Sequence, residues 1–300
     1  MKIKDFLLAA TITLIWGMNF SFIKLGLTSL DPFMLAGWRF LLCVIPLIFF
    51  IKKPNVKMSY LVSYGLLFGV GLWGMVSVGI YFGISAGMAS LVFQISVFFT
   101  IILSYFFLGE TMNHIRKFAF VLALFGVGLI ITVTDGSVTI LGLTFVLIGA
   151  MAWAITNIIL KKAEVKEVFS FIVWSSLFSP IPLFILAYVT QGVMVYIDFF
   201  ENLDTYGVLS ILFQAYPTTL LGYFVWNSLL KKYSVSIVTP ITLLVPIFGL
   251  LSSYIIFDES ISQIKILACI IIVLALGINT FGTKIVESLK NKLSKRKTLC

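Results

Sequence analysis

The sequence predicts an all-α integral membrane protein with ten transmembrane helices, arranged as two inverted five-helix repeats. Of its 300 residues, 60% are hydrophobic and only 11% are charged, whereas a soluble domain carries about 25% charged residues. The chain also divides into ten apolar segments, and landmarks of the first five reappear in the last five. This composition excludes a soluble enzyme, a nucleic-acid-binding protein and a disordered chain.

Each apolar segment has the length of a membrane-crossing helix, which needs about 20 residues to cross roughly 30 Å of hydrocarbon. Charges, prolines and glycines separate predicted spans at 6–27, 32–51, 60–81, 87–108, 114–133, 140–160, 169–189, 206–229, 236–257 and 262–283. Barrel strands are disfavoured because the segments are too long and do not alternate strictly. The first apolar run is also too long for a signal-peptide core, so we expect a mature helix there.

Positive charge is concentrated on one predicted side of the membrane. With the N-terminus inside, eighteen of the 21 Lys and Arg residues fall on inner segments or the C-terminal tail, and Lys24, Arg39 and Lys265 lie elsewhere. The positive-inside rule then predicts a multi-pass protein of a bacterial inner or plasma membrane with both termini cytoplasmic. We expect the basic tail to face membrane lipid rather than nucleic acid.

The two halves of the chain share landmarks at nearly constant spacing. Trp16 and Lys24 recur 137 residues later as Trp153 and Lys161. At a spacing of 149, Ser104-Tyr105, Glu110 and Gly128 recur as Ser253-Tyr254, Glu259 and Gly277. An odd number of spans in each copy turns the second copy upside down, as in many secondary transporters. We place the repeats at 1–134 and 135–284 and a basic cytoplasmic tail at 285–300; chance matching of apolar segments is the alternative.

Several motifs follow one another in an order typical of a known family. The first copy contains Trp16-Gly17-Met18-Asn19-Phe20, then Asp31-Pro32-Phe33-Met34-Leu35-Ala36-Gly37-Trp38-Arg39-Phe40, Ala86-Gly87-Met88-Ala89-Ser90-Leu91 and Leu108-Gly109-Glu110; the second contains Pro240, Leu244-Val245-Pro246 and Asp258-Glu259-Ser260. Over nearly the whole chain, this order resembles the EamA-type family of the drug/metabolite transporter superfamily. Gln94, Phe98-Phe99-Thr100 and Val173-Trp174-Ser175 are most similar to the exporters of cysteine and O-acetylserine, and Ile95-Ser96-Val97 departs from them.

The resemblance implies a secondary exporter of small amino-acid-type metabolites that works by alternating access. The partners that it implies are a small-molecule substrate and membrane lipid. It implies no cofactor and no metal, and the oligomeric state is not readable from the sequence. A drug or lipid transporter of the same superfamily is the main alternative. An intramembrane enzyme is a remote one, because the single histidine, His114, lies at a span boundary without a supporting motif.

Arg39 is the first candidate for substrate binding. It stands seven residues beyond Pro32, which places it about 10 Å into the membrane. A cation at that depth normally faces a cavity or a partner, and a guanidinium can hold the carboxylate of an amino acid in a bidentate contact. The alternative is that Arg39 reaches outward to pair with Asp31. Lys24 lies nearer a helix end, where reaching outward to the interface is expected.

Aromatic and amide side chains recur at helical spacing in both copies. Trp16 and Asn19 share one helix face, as do Trp153 and Asn157, and Gln94 lies near the middle of its span. We expect these five residues to line a central cavity; ordinary packing between helices is the alternative. Gln214, Tyr223 and Asn227 are weaker candidates because their depth in the membrane is uncertain.

Interrupted helices are a further pointer to a transport pathway. Pro240 and Pro246 remove backbone donors within one span, and Gly87 stands near the equivalent region of the first copy. We therefore name all three as candidate helix breaks or gates, with packing kinks as the alternative.

All 12 acidic residues fall at span ends or in loops, so no proton relay is evident at mid-membrane. Coupling to protons, substrate exchange and facilitated flux therefore all stay open.

Overall fold

Helices of membrane-spanning length dominate the fold. The computed structural model describes the backbone of residues 1–297, and all of their side chains except those of 235, 236, 283, 284 and 286–297. Within these residues, the helices long and apolar enough to cross a membrane, numbered spans 1 to 10, are Ile3–Gly26, Pro32–Phe49, Met58–Tyr81, Ala86–Leu108, His114–Ile131, Ile140–Lys162, Val168–Gln191, Thr205–Lys232, Thr239–Phe257 and Gln263–Gly282. The predicted all-α fold is confirmed, and every span boundary lies within three residues of its prediction.

An even number of spans puts the start of span 1 and the end of span 10 on the same side, here named the N-terminal side; the other is the opposite side. The helix of span 10 continues from Gln263 to Lys297, and residues 298–300 of the predicted basic tail lie outside the described residues. A short helix, Met194–Asn202, fills the long connection between spans 7 and 8. Its Phe199 stacks on Trp38 of span 2 at a ring-centroid distance of 5.2 Å.

The packing of the spans follows a pseudo-two-fold arrangement. Span 1 packs against span 9, and span 6, its counterpart in the second copy, packs against span 4. Span 1 also packs on span 8, just as span 6 packs on span 3. Spans 2 and 7 contact each other, as do spans 4 and 9 and spans 5 and 10. Exchanging the two copies therefore reproduces the same contacts, as expected for inverted repeats.

Both copies also share departures from regular α-helix. Wide π-helical turns occupy Leu67–Gly74 in span 3 and Gln214–Leu221 in span 8. Span 4 is interrupted between its helices Ala86–Phe93 and Ser96–Leu108, and span 9 contains a tighter 3-10 turn at Thr239–Leu243. Such π segments often occur at functional sites. The irregular backbone therefore marks spans 3, 4, 8 and 9 as the segments that shape the centre.

Small residues let spans 1, 4 and 9 approach closely on the opposite side. A Cβ added to Gly17 would lie 2.7 Å from the Val245 carbonyl oxygen and 2.8 Å from the Gly249 nitrogen. A Cβ on Gly249 would lie 2.1 Å from the hydroxyl of Ser90. Ser21 of span 1 and Ser252 of span 9 are hydrogen-bonded through their hydroxyls at 2.8 Å. These contacts pack the three spans tightly against one another in this half of the protein.

Candidate functional site

Arg39 lies in the interior, between span 2 and the π-helical turn of span 8. Its side chain is fully buried. Nη2 donates to the Thr219 hydroxyl at 2.9 Å, and Nη1 donates to the Gln214 side-chain oxygen at 3.3 Å. The guanidinium also lies over the Trp73 ring, 4.2 Å from its centroid. The cation is thus held by neutral acceptors and an aromatic face.

Arg39 does not reach outward to Asp31, the alternative considered from the sequence. Asp31 caps the N-terminus of span 2 instead, accepting hydrogen bonds from the amides of Phe33 at 2.8 Å and Met34 at 3.0 Å. Burial raises the pKa of Asp31 above its ordinary value, against the effect of these two amides. Among the side chains that the structure describes, no acid forms an ion pair with Arg39. Its charge therefore has no counter-anion in this conformation.

Trp16 and Trp153, the two-fold-related tryptophans, meet on one tyrosine at the centre. The ring centroid of Tyr223 lies 5.7 Å from that of Trp16 and 6.3 Å from that of Trp153. Phe68 joins the same cluster, 6.0 Å from Trp153 and 5.8 Å from Tyr223. The indole nitrogen of Trp16 donates to the Thr218 carbonyl oxygen at 3.0 Å, in the π-helical turn. The two copies thus contribute equivalent aromatic side chains to one central cluster.

A cavity of about 380 Å³ opens between spans 4, 5, 6 and 10 on the N-terminal side. Trp153 and Asn157 both line it, together with Thr100. Asn157 Nδ2 donates to the Thr100 hydroxyl at 3.3 Å. Arg39, Trp16, Asn19 and Gln94 do not line this cavity. The structure therefore brings together two of the six candidate binding residues at this cavity and places the other four away from it.

Asn19 and Gln94 each adjoin a second group of aromatic side chains. Asn19 is fully buried, and neither its amide nitrogen nor its amide oxygen has a hydrogen-bond partner among the described residues. Gln94 is 8% exposed and stands at the interruption of span 4. Their chain neighbours Phe20 and Phe93 pack on the Trp73 ring that carries Arg39, at 6.0 and 6.2 Å. Trp73 thus contacts Arg39 and also the residues next to Asn19 in span 1 and Gln94 in span 4.

The three candidate helix breaks occupy different local structures. Pro240 lies within the 3-10 turn Thr239–Leu243, where span 9 is irregular. Pro246 falls in the first turn of the following helix, Leu244–Phe257, a position where proline costs little because its missing N–H has no helical partner. Gly87 lies in a continuous helical turn, and its amide donates to the Ser253 hydroxyl at 3.1 Å. Gly87 is therefore a point of close contact between spans 4 and 9 rather than an interruption.

Two ion pairs lie on the opposite side, where they line a cavity of about 360 Å³. Trp16, Trp153 and Tyr223 do not line this cavity, so the central cluster is closed off from the opposite side. Lys24 Nζ lies 2.6 Å from Glu259 Oε1, and these side chains are 33% and 14% exposed. Lys265 Nζ lies 2.7 Å from Asp135 Oδ2, and the Lys265 side chain is 3% exposed. Burial opposes ionisation of Glu259, but hydrogen bonds from Lys24, Ser253 and Ser85 outweigh it and hold its pKa below the ordinary value. Burial also raises the pKa of Asp135, but hydrogen bonds from Lys265 and Ser137 outweigh this effect and hold the pKa below its ordinary value.

The N-terminal side carries the two-fold counterpart of the first pair. Lys161 and Glu110, which repeat Lys24 and Glu259 at spacings of 137 and 149, form an ion pair whose side chains are 58% and 40% exposed. Both residues line the 380 Å³ cavity. The same pair is therefore partly buried at the closed side and exposed at the mouth of the cavity on the other.

Sequence reasoning missed several contacts that define this centre. Trp73 and Thr219 were not candidates, although the polar run around Pro217, from Gln214 to Thr219, stands out in an apolar span. Four charged residues are landmarks of the repeat in the sequence, but it was not predicted that they form ion pairs: Lys24, Lys161, Glu110 and Glu259. Their opposite charges and matched spacing were a signal that they meet.

Comparison with known proteins gives consistent results. The profile of the EamA-like transporter family matches residues 4–132 and 140–281. A probable amino-acid metabolite efflux pump of Escherichia coli is 36% identical over 95% of this chain and 97% of its own, and one of Salmonella typhimurium is 34% identical over the same shares. The uncharacterized transporter YoaV of Bacillus subtilis is 28% identical over 90% of this chain and 94% of its own.

A solved crystal structure has the same fold, with a TM-score of 0.65 and 16% identity over 96% of this chain and all of the other. Ten spans of the described chain, packed as two inverted repeats, and a cavity that reaches Trp153 of the central aromatic cluster from one side define a multi-pass membrane transporter. More particularly, the chain belongs to the EamA-like transporter family.

Proposed function

We propose that the protein is a secondary exporter of small amino-acid-type metabolites, of the cysteine and O-acetylserine kind, and that it has no enzymatic activity. It works by alternating access in the cytoplasmic membrane of a bacterium, with both termini cytoplasmic. The names of the Escherichia coli and Salmonella typhimurium relatives, probable amino-acid metabolite efflux pumps, support this substrate class. The concentration of Lys and Arg on the N-terminal side supports the orientation.

The observation that carries the proposal is the uncompensated charge of Arg39. A buried cation in a membrane is costly unless it is paired, and the described side chains around Arg39 supply only neutral acceptors and an aromatic face. The carboxylate of an amino acid would complete the site by taking two N–H donors in one planar contact. In that state Gln214 and Thr219 give up their hydrogen bonds to the guanidinium.

The other candidate residues supply the remaining contacts of a small zwitterion. Trp153 and Asn157 meet the substrate in the cavity on the N-terminal side, and Trp16 lies across Tyr223 from them. The buried amide of Asn19 has both polar atoms free among the described residues, and such a group is costly until a partner arrives. A bound ammonium or hydroxyl group donates to its Oδ1, and a hydroxyl or carboxylate oxygen accepts from its Nδ2.

The asymmetry of the two sides supports alternating access. On the opposite side, the cavity at Lys24–Glu259 and Lys265–Asp135 is lined by residues at span ends and in turns, whereas the cavity on the N-terminal side reaches Trp153. With the termini in the cytoplasm, this conformation loads substrate from the cytoplasm. The two-fold relation of the repeats gives the reverse conformation the same contacts with the sides exchanged, with Pro240 and the contact at Gly87 in the segments that move.

The test is solute flux in proteoliposomes of the full chain. Labelled cysteine, O-acetylserine and a panel of other amino acids are compared with a lipophilic cationic drug and a labelled lysolipid, and protein-free liposomes provide the background. The proposal predicts saturable amino-acid flux that excess unlabelled cysteine competes away. Saturable flux of the drug or the lipid without amino-acid flux overturns the substrate class and favours the alternative within the superfamily.

A further inference from the structure

Among the side chains that the structure describes, the lining of the cavity on the N-terminal side carries two positive charges and one negative charge. Its charged lining consists of Glu110, Arg116 and Lys161. Glu110 is engaged by Lys161. Arg116 is half-buried, and no acidic side chain of the described chain pairs with it. The mouth of the cavity is therefore a site of net positive charge beside a paired carboxylate.

The two-fold counterpart of this triad shows what is missing. At the spacings of the repeat, Lys161, Glu110 and Arg116 correspond to Lys24, Glu259 and Lys265 on the opposite side. There a fourth residue, Asp135, neutralises Lys265 at 2.7 Å. At the spacing of 149, the position equivalent to Asp135 carries Lys284, so the second repeat provides a cation in place of the acid. The protein therefore matches the charges of this group on the opposite side, whereas on the N-terminal side the described side chains leave Arg116 without an acid.

We propose that Arg116 binds the carboxylate of the substrate at the mouth of the cavity, before the substrate reaches Trp153 and Asn157. This inference rests on the proposed function and adds an outer carboxylate site to the central one at Arg39. A guanidinium presents two parallel N–H donors that match a carboxylate. A volume of about 380 Å³ lies within the range of small-molecule sites, so the cavity accommodates an amino acid next to Arg116.

Glu110 completes a zwitterion site with Arg116. An ionised carboxylate has two oxygens with several acceptor positions, and Lys161 occupies Oε1 of Glu110. The other oxygen, Oε2, accepts a hydrogen bond from the ammonium group of an amino acid whose carboxylate is bound by Arg116. Thr100, Asn157 and Asn279 line the same cavity, and the Asn279 side-chain oxygen is buried without a hydrogen-bond partner among the described residues. The cavity thus offers separate acceptors and donors for the two ends of a zwitterion.

The test compares Arg116→Gln with Lys117→Gln in proteoliposomes of the full chain. Lys117 is the neighbouring cation on the same span, is exposed, and does not line the cavity, so it is a matched control for net charge. The probes are labelled cysteine and labelled cysteamine, which share a thiol and an ammonium group and differ by the carboxylate. Lipid composition is held constant in one series, and the anionic lipid fraction is varied in a second.

The inference predicts that Arg116→Gln raises the KM for cysteine about tenfold, as expected for a lost charged hydrogen bond. The KM for cysteamine, the kcat for cysteine and all parameters of Lys117→Gln stay close to wild type, and Arg116→Lys recovers part of the cysteine KM. If Arg116→Gln does not elute as a single species, the same comparison is made with Arg116→Lys, for which a threefold rise for cysteine alone is expected.

Three results would overturn the inference. Equal effects of Arg116→Gln and Lys117→Gln would show that only net charge matters, and equal effects on cysteine and cysteamine would show that Arg116 does not read the carboxylate. An effect that follows the anionic lipid fraction instead of the substrate would assign Arg116 to lipid phosphate. Absence of saturable wild-type flux is a different outcome, because it overturns the proposed function itself.

Discussion

Lys24 Nζ lies 2.6 Å from Glu259 Oε1, which joins the end of span 1 to the turn after span 9 on the opposite side. Glu259 follows Asp258, whose backbone φ of 51° ends span 9 in the left-handed conformation, just as Gly109 at φ 66° precedes Glu110 after span 4. The same lysine, glutamate and left-handed turn therefore recur at both sides of the membrane. Both pairs are formed in this conformation, and they differ in burial: Lys24–Glu259 is the less exposed and Lys161–Glu110 the more exposed. We interpret this burial, and the strength that it gives each pair, as the property that alternates when the transporter changes conformation.

Replacement of Lys24 by Gln is expected to open the opposite side. A hydrogen bond to a charged group contributes about 1.5–3 kcal/mol, so its loss shifts the equilibrium about tenfold or more towards opening. A cysteine at Ser21, buried behind the pair, reports the opening through its labelling rate with an impermeant maleimide in a background without native cysteines.

Lys161→Gln is the matched control for Lys24→Gln, since it removes the equivalent pair on the N-terminal side. It is expected to leave the labelling of the cysteine at Ser21 unchanged or slower. The charge reversal Lys24→Glu with Glu259→Lys is expected to restore slow labelling. A labelling rate that is equal in Lys24→Gln and Lys161→Gln would contradict the role of the Lys24–Glu259 pair.

The closure of the opposite side is expected to be insensitive to pH from about 5 to 8. The folded-state pKa values of Glu259 and Asp135 are lowered from the ordinary value near 4. The stabilisation from these carboxylates is therefore complete above that ordinary value and is lost only as pH falls through the lowered folded-state values. The maleimide labelling rate of Ser21→Cys, measured as a function of pH, checks this. Each rate is divided by the rate for free cysteine at the same pH, because thiol reactivity itself depends on pH. A corrected rate that changes between pH 6 and 7 would be inconsistent with carboxylate-based closure.

Gly17→Ala is expected to destabilise the protein by about 1–3 kcal/mol, the usual cost of overpacking. The added Cβ would meet backbone atoms of span 9 at 2.7 and 2.8 Å, and these cannot move aside as a side-chain end can. Gly128→Ala in span 5 is the control, because its Cβ meets nothing within 4 Å and alanine is the better helix former. Thermal unfolding in detergent should show a lower Tm for Gly17→Ala alone; equal Tm values would refute the tight contact of spans 1 and 9.

The orientation of the chain is expected to follow its positive charge. In intact bacterial cells, a cysteine at Gly136, exposed on the opposite side, should react with an impermeant maleimide. A cysteine at Asn55, exposed on the N-terminal side, should react only after the cells are opened. The reverse pattern would place the N-terminal side outside the cell.

The spans and the inverted repeat were predictable from the sequence because they depend on hydropathy and spacing alone. The depth of Arg39 was also predictable, since it follows from the distance to Pro32, but the sequence left open whether the side chain turns inward or reaches outward to Asp31. Its partners were not visible: Trp73 and Thr219 lie on other spans, and the contact depends on how the helices pack and on the π-helical turn at Gln214–Leu221. No local pattern in an apolar sequence specifies such a turn.

The cavity on the N-terminal side was only partly predictable for a related reason. Trp153 and Asn157 share a helix face, and helical spacing alone indicates this. In the structure, this face borders the cavity, whereas the corresponding residues Trp16 and Phe20 pack among aromatic side chains. This difference is a property of the conformation. A repeat sequence defines both conformations equally and does not select between them.

The most direct test of the central claim is the effect of the Arg39 charge on carboxylate transport. Proteoliposomes with wild type, Arg39→Gln, Arg39→Lys or Leu35→Val, a buried control on the same helix, are compared for uptake of cysteine and of cysteamine. We predict that Arg39→Gln lowers kcat/KM for cysteine at least about tenfold, that Arg39→Lys lowers it less, and that Leu35→Val resembles wild type. Cysteine flux in folded Arg39→Gln that equals wild-type flux would contradict the account.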